Sequence, residues 1–441
     1  MNKGIIRSIR GLVVHVEFDD DFPALAEVLL AADQENSPLL VDHVTPKGAV
    51  VCLNVRGVHT LQKGMAAVRT GKSIEIPVGP ELIGRVVDAI GRPIDGLPPV
   101  VADPKKSGKS LQYRCIFKSP ERSTIFKVSK PEILETGIKV IDFFTPFVKG
   151  RKIGIIGGAG VGKTVLTMEL INNVSRSGAG MAFFAGIGER IREGHELFQT
   201  LGENDLLKNT CMFFGQMDQN PVQRSLIALS AVTLAEYFRD EHKKDILFFA
   251  DNMYRYIQAK NELSTILDQI PAEGGYEPTL FSDVKLLQDR LSSNEHGSIT
   301  AVQTIYVPAD DLSDPAVQMI QHELDGILVL SRKVAEQGIR PSVDLLKSTS
   351  SLLSPDVVGE RHYILSVQVQ ALLQKYESLK GIIAIIGENE LSPEDRKDFA
   401  KARKLVEYFT QKMFVMEKLN GIPGEFITRD EMLSKIEEII I

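Results

Sequence analysis

Tryptophan is absent from this 441-residue chain, cysteine occurs three times and histidine eight times. Cys52, Cys115 and Cys211 lie far apart and make no metal-ligand spacing, so reduced thiols in a cytosolic protein are expected. The histidines form no ligand cluster either. No apolar run reaches the ~18 residues of a membrane-spanning helix. The opening MNKGIIRSIRGLVVHVEF has a basic residue before an apolar run, but His15 and Glu17 interrupt it. It alternates like a strand rather than reading as a signal peptide. Basic charge is also short: 51 Lys and Arg against 58 Asp and Glu leave a net charge of −7, which disfavours nucleic acid as the main partner. Repeats and low-complexity tracts are missing. A soluble, cytoplasmic protein is expected, reaching the cell membrane only peripherally through partner subunits.

What remains is an ordinary globular composition, long enough for two to four domains at about 150 residues each. Residues 1–76 are short alternating segments broken by turns (GLVVHVEF, SPLLVDHV, GAVVCLNV, SIEIPV), the pattern of a small barrel or sandwich. Residues 77–350 include the Gly- and Pro-rich IGRPIDGLPP, Ile90–Pro99. From about 130 they alternate near-continuous apolar strands with helical stretches (KIGIIGG, MAFFAGIG, TCMFFGQ, DILFFAD, SITAVQTIYV, GILVLS). That rhythm predicts a parallel sheet buried on both faces. Residues 351–441 carry helical periodicity with no clear strand. The expected fold class is therefore an α/β P-loop core between an N-terminal β-barrel and a C-terminal helical domain.

GGAGVGKT, Gly157–Thr164, fits the P-loop pattern and lies between a strand, KIGII, and a helix, TVLTMELINNV. The expected phosphate cradle is Gly158, Ala159, Gly160, Val161, Gly162, Lys163, Thr164 and Val165. Glycines let backbone N–H groups turn to the phosphates, and the helix N-terminus adds its dipole. Lys163 reaches the β- and γ-phosphates, and the Thr164 hydroxyl is a Mg²⁺ ligand. DILFFAD ends in Asp251, an apolar strand closing on an acid that holds Mg²⁺ directly or through water. MAFFAGIG ends in Glu189 and Arg190. A carboxylate at a strand end can polarise an attacking water and an arginine can neutralise phosphate charge, although the same pair also fits a solvated ion-pair cluster.

These motifs, in this order, resemble the catalytic β subunit of F-type ATP synthases. The likeness runs nearly without gaps from about residue 130 to 350, through FAGIGERIREG, LAEYFRD, DNMYRYIQA, GSITAVQTIYVPADDLSDPA and STS. By that resemblance Glu189 is the catalytic carboxylate, also on the Mg²⁺ side, and Arg190 and Arg255 are phosphate-side arginines. Lys163 and Thr164 serve the phosphates and Mg²⁺. ATP and ADP are substrate and product. The resemblance further implies a hetero-hexamer holding three copies of this chain. An α-like subunit supplies an arginine finger and a central, γ-like stalk turns within. PADDLSDPA and NELSPED resemble the family's stalk-facing segments. The family's aromatic adenine pocket is altered: Arg340 stands at the tyrosine position, and Met413 and Leu419 at the phenylalanines. Intact chemistry with a drifted lever and base pocket implies a specialised hydrolytic motor, similar to the divergent F-type-like ATPases of mycoplasmas. The alternatives are an ordinary ATP synthase β subunit coupled to ion flow, and a hexameric P-loop export ATPase or helicase.

Overall fold

The computed structural model describes residues 3–31, 37–57, 60–100, 111–118, 131–158, 160–176, 180–272, 275–307 and 313–441. The chain divides into two compact units, one of Met1–Phe126, Ala182–Phe198 and Leu207–Gly297, the other of Lys127–Met181, Gln199–Leu206 and Ser298–Ile441.

The first unit begins with six strands, β1 (Lys3–Arg10), β2 (Val13–Glu17), β3 (Glu27–Ala31), β4 (Pro38–Val44), β5 (Ala49–Asn54) and β6 (Ala66–Ser73). They close into a barrel in the order β1-β2-β5-β4-β3-β6. Alternation decides which side chains fill it. Val14 and Val16 point inward opposite Cys52 and Val50, and Ile6, Leu29, Leu39, Val41 and Phe18 complete the core. Gly4 must be small, because a Cβ there would lie 2.6 Å from Val16 and 2.7 Å from Phe18. Glu27 is buried on β3, yet Arg69 on β6 grips both its oxygens at 3.0 and 2.9 Å. Burial pushes the Glu27 carboxyl up. The Arg69 fork and the N–H groups of Ala24 and Gly71 outweigh it, so the group stays ionised below its ordinary range.

The same unit carries strands in the order Ile246–Asp251, Met181–Glu189, Thr210–Gln216 and Val86–Val87, the last three parallel. Ile246–Ala250 and Ala182–Glu189 are buried throughout, as strands covered on both faces must be. The long helix Pro221–His242 is buried along most of its length. Its Glu236 is neutralised by Arg290, whose Nε and Nη2 lie 2.9 and 2.5 Å from the carboxylate oxygens.

In the second unit Lys152–Gly157 runs parallel between Ile299–Tyr306 and Gly326–Val329, and Thr349–Ser350 adds an antiparallel edge. The helices Glu360–Ile386, Pro393–Phe409 and Arg429–Ile440 follow. Ser392 caps the second of these through the Asp395 N–H, with Pro393 at its first position; Thr428 and Glu431 form a capping box on the third. The expected class of barrel, α/β core and helical C-terminal region is what the structure shows. Among the described residues no helix is long and apolar enough to cross a membrane. Cys52 and Cys211 are buried thiols, whereas Cys115 is only partly covered.

His362, fully buried on the first of these helices, gives this unit a pH-dependent stability. Its Nε2 lies 3.0 Å from the Phe143 carbonyl, its ring stacks on Phe143, and Arg429 Nε is 3.4 Å from Nδ1. Those partners want a neutral ring with the proton on Nε2. Burial, joined by the Arg429 charge, pushes its pKa down to about 4. The unfolded chain takes up this proton near pH 6.5, so stability is full above that value and is lost as pH falls toward 4. The total loss is about 3 kcal/mol at ~1.4 kcal/mol per pKa unit. Denaturant titrations between pH 4 and 7 should show this slope in the wild type and its absence in His362→Gln.

Candidate nucleotide site

The second unit holds the phosphate loop. It leaves the strand Lys152–Gly157, and the helix Lys163–Arg176 begins at its end. Gly160 and Gly162 sit at φ 75° and 91°, backbone that side chains disfavour. Gly157 has no room for a Cβ, which would come 2.9 Å from Val161 and 3.0 Å from Leu330. Lys163 folds back over the loop: its Nζ donates to the Gly157 carbonyl at 2.6 Å and stands 5.1 Å from the Tyr306 ring centroid. Thr164 and Val165 occupy the first turn of the helix and are half-buried. Gly158 is buried, and Ala159 lies outside the described residues. Two glycine-enabled bends, a helix N-terminus and an ammonium suit a polyphosphate.

Two more segments are tied to this loop. Ser342 Oγ donates to the Val161 carbonyl at 2.5 Å, and Leu330 N–H donates to Ile156 at 2.7 Å. Just before Ser342, Arg340 is exposed, and its guanidinium donates to the carbonyls of Ala335 and Ile339, each at 2.9 Å. The Arg340 carbonyl accepts the Gln411 N–H at 2.8 Å. Met413 is buried, and the following N–H groups, of Phe414 and Val415, donate to the Glu169 carboxylate on the loop's own helix at 3.1 and 3.0 Å. Leu419 belongs to the short helix Glu417–Asn420, and its side chain lies outside the described residues. Arg340 and Met413 are thus both on segments bonded to the loop or its helix. Ser342, Gln411 and Glu169, which make those bonds, were not singled out in the sequence; Gln411 and Glu169 act across separations no local pattern marks.

The first unit holds the acidic group. Glu189 ends the strand Met181–Glu189 and is 7 % exposed. Asn252 Nδ2 donates to its Oε1 at 3.1 Å. Arg255 Nε is 3.3 Å from the same oxygen as an ion pair, outside hydrogen-bond alignment, and has no hydrogen-bond partner although buried. Gly188, at φ 66°, turns the chain just before Glu189, and a Cβ there would lie 3.3 Å from Arg255 Cδ. Burial above all, with repulsion from Asp251, pushes the Glu189 carboxyl up to about 8 against the pull of Arg255. Such a group can accept a proton near neutral pH. Asp251 ends its strand half-buried, and Asn252 caps the next helix through the Arg255 N–H at 2.9 Å. Arg190, by contrast, is exposed, with Nη1 3.6 Å from Glu193. Glu189, Asp251 and Arg255 are therefore grouped, while Arg190 faces outward. Asn252 was missed, though an Asn after a strand-end acid is a recognisable helix cap.

Thr164 in the second unit offers a hydroxyl and Asp251 in the first a carboxylate, each a hard oxygen of the kind Mg²⁺ takes. Among the described residues there is no group of three or more His, Cys, Asp or Glu placed to hold a metal by itself.

Of the stalk-facing segments expected from the sequence, 308–312 lie outside the described residues. Asp314 caps the helix Pro315–His322 through two N–H groups.

Comparison with known families places two matches along the chain. Residues 137–350 match the nucleotide-binding domain of the ATP synthase alpha/beta family. Residues 353–420 match the C-terminal domain of V and A type ATP synthase. The glycine-bent loop with its lysine, the strand-end acids and these two consecutive matches agree: over residues 137–420 the chain is similar to the nucleotide-binding and C-terminal domains of rotary ATP synthases.

Proposed function

We propose that this chain is the catalytic, β-like subunit of a rotary ATPase of the F-type-like kind, hydrolysing Mg-ATP to turn a central stalk. The observation that carries the reading is Glu189. A buried carboxyl at a strand end, gripped by Asn252 and Arg255 and raised to about 8, fits proton acceptance from water better than a surface ion pair.

The roles follow from the chemistry of each group. The loop from Gly158 to Val165 and the Lys163 ammonium hold the phosphates. Thr164 and Asp251 are the residues that would serve Mg²⁺, which would supply neutralisation of phosphate charge. Glu189 orients the attacking water and accepts its proton. Arg255, with a buried Nε lacking a hydrogen-bond partner, has capacity left for a phosphate oxygen. Arg190 is assigned to the phosphate side once it turns from Glu193. Arg340, Met413 and Leu419 wall the base. Partners are an α-like subunit with an arginine finger and a γ-like stalk, in a hetero-hexamer with three copies of this chain.

A second reading, a catalytic subunit of V or A type, is favoured by the match over residues 353–420. Affinity purification of the tagged chain from its own cells tests both. An active Mg-ATPase should be recovered with an α-like and a stalk subunit. A membrane ring carrying ions would mark an ion-coupled synthase, and V/A-type peripheral stalks would favour the second reading. Recovery of the chain alone, without ATPase activity, would overturn the proposal.

A further inference from the structure

We propose that Glu169 is a positioning residue for the adenine base: from the helix that starts at the phosphate loop, it fixes the segment holding Met413. The inference rests on reading Met413 as a wall of the base site.

Glu169 lies on the buried face of its helix, among Leu166, Leu170 and Ile171, and is 1 % exposed. A carboxylate is a costly group to place there unless its oxygens are satisfied. Both are: Oε1 accepts from Phe414 N–H at 3.1 Å and Oε2 from Val415 N–H at 3.0 Å. Those two donors open the short turn Phe414–Met416, where N–H groups have no partner inside the turn. Met413, directly before the turn, offers no side-chain cap. The cap comes instead from a residue 245 positions earlier, five places beyond Thr164 on the phosphate helix.

The rest of the segment is anchored in the same sense. Gln411 takes the Lys139 N–H on its Oε1 at 2.8 Å, gives its Nε2 protons to Gly137 and Glu425, and bonds the Arg340 carbonyl through its own N–H. From the other side, a Cβ on Gly424 would lie 2.5 Å from Phe414 N, so the chain there is packed to contact. Ser342 ties the Arg340 segment to Val161. The two candidate base walls are therefore referenced to the loop and its helix, and Glu169 is the side chain that ties the Met413 wall to the phosphate helix. A nucleotide held at both ends needs a fixed span between phosphates and base. Glu169 sets that span without touching either.

The test uses the full-length chain and two probes with Mg²⁺, ADP and inorganic pyrophosphate, titrated calorimetrically into wild type, Glu169→Gln and Met413→Ala. Glutamine keeps the length but can accept only one of the two N–H groups and sets an NH₂ against the other. Losing one charge-assisted bond predicts ADP binding weakened by about 10-fold, with pyrophosphate unchanged within about twofold. Met413→Ala should show the same selectivity. Equal weakening of both probes in Glu169→Gln would make the residue a support of the phosphate helix and overturn the inference. A selective loss in Met413→Ala but none in Glu169→Gln would also overturn it, leaving the base wall in place. Met413→Ala without effect on either probe would remove the base-wall reading and the inference together. If Glu169→Gln does not fold, Glu169→Asp, which keeps the charge but is too short to bond both groups, is expected to give the same ADP-selective loss.

Discussion

Glu189→Gln should bind Mg-ATP normally and turn it over about 10²- to 10⁴-fold more slowly, the usual effect of losing a positioned base. The amide oxygen can still accept the Asn252 proton, so the local bond at 3.1 Å survives. What disappears is the ability to take a proton from water. The fold should not suffer. Burial and Asp251 raise this carboxyl to about 8, so the folded chain binds a proton that the unfolded chain has released above its ordinary range near pH 4.5. Stability contributed by this group therefore falls as pH rises from 4.5 to 8, and the glutamine variant escapes that loss. Single-turnover hydrolysis, nucleotide binding and a melting curve at pH 8 check the three statements. Near-normal steady-state hydrolysis would end the assignment of Glu189 as the catalytic base.

The isolated chain should hydrolyse ATP poorly and gain about 10³- to 10⁵-fold when an α-like subunit is added, the range seen when an arginine is supplied in trans to a phosphoryl-transfer site. The chain's own arginines near Glu189 are already paired with acids or assigned to the bound phosphates. Arg255 is paired with that carboxylate, Arg190 stands beside Glu193, and Arg224 donates to the Gln219 carbonyl and to Glu262. A further positive group is needed where charge develops on the transferred phosphoryl. Reconstitution with the partner, and with a partner lacking its candidate arginine, measures the gain. Full turnover by the purified single chain would exclude an arrangement that depends on a neighbour.

Much of the phosphate loop was legible because its chemistry is local. Gly160 and Gly162 must take left-handed backbone, and the flanking strand and helix announce themselves by apolar period. The barrel strands were legible for the same reason: Val14 and Val16 alternate with His15 and Glu17. Their order was not. Nothing in SPLLVDHV tells that its strand lies between β5 and β3, since closure is decided by contacts among distant segments. The same limit applied to the sites. Glu189 and Asp251 could be found at strand ends, but the burial that raises Glu189 belongs to the assembled unit. The bonds from Glu169 to Phe414 and Val415 span about half the chain and leave no mark in either neighbourhood. The family strings pointed to the ATP synthases, while the match over 353–420 brought in the V and A type C-terminal domain, which helical periodicity alone could not distinguish.

The closed ring of β1 to β6 bears on how copies of this chain can meet. An open sheet ends in a row of unsatisfied amides and carbonyls that any other strand can join, in any register. Here β1 pairs with both β2 and β6, so neither end of the strand sequence is left as a margin. Crowded neighbours cannot zip onto this region through their backbones, and exchanging a strand would require first breaking a complete hoop. Contacts made by its outer face must be made side chain by side chain. Such contacts can be rewritten one residue at a time, so the N-terminal region can acquire new neighbours, or shed old ones, while its interior stays fixed.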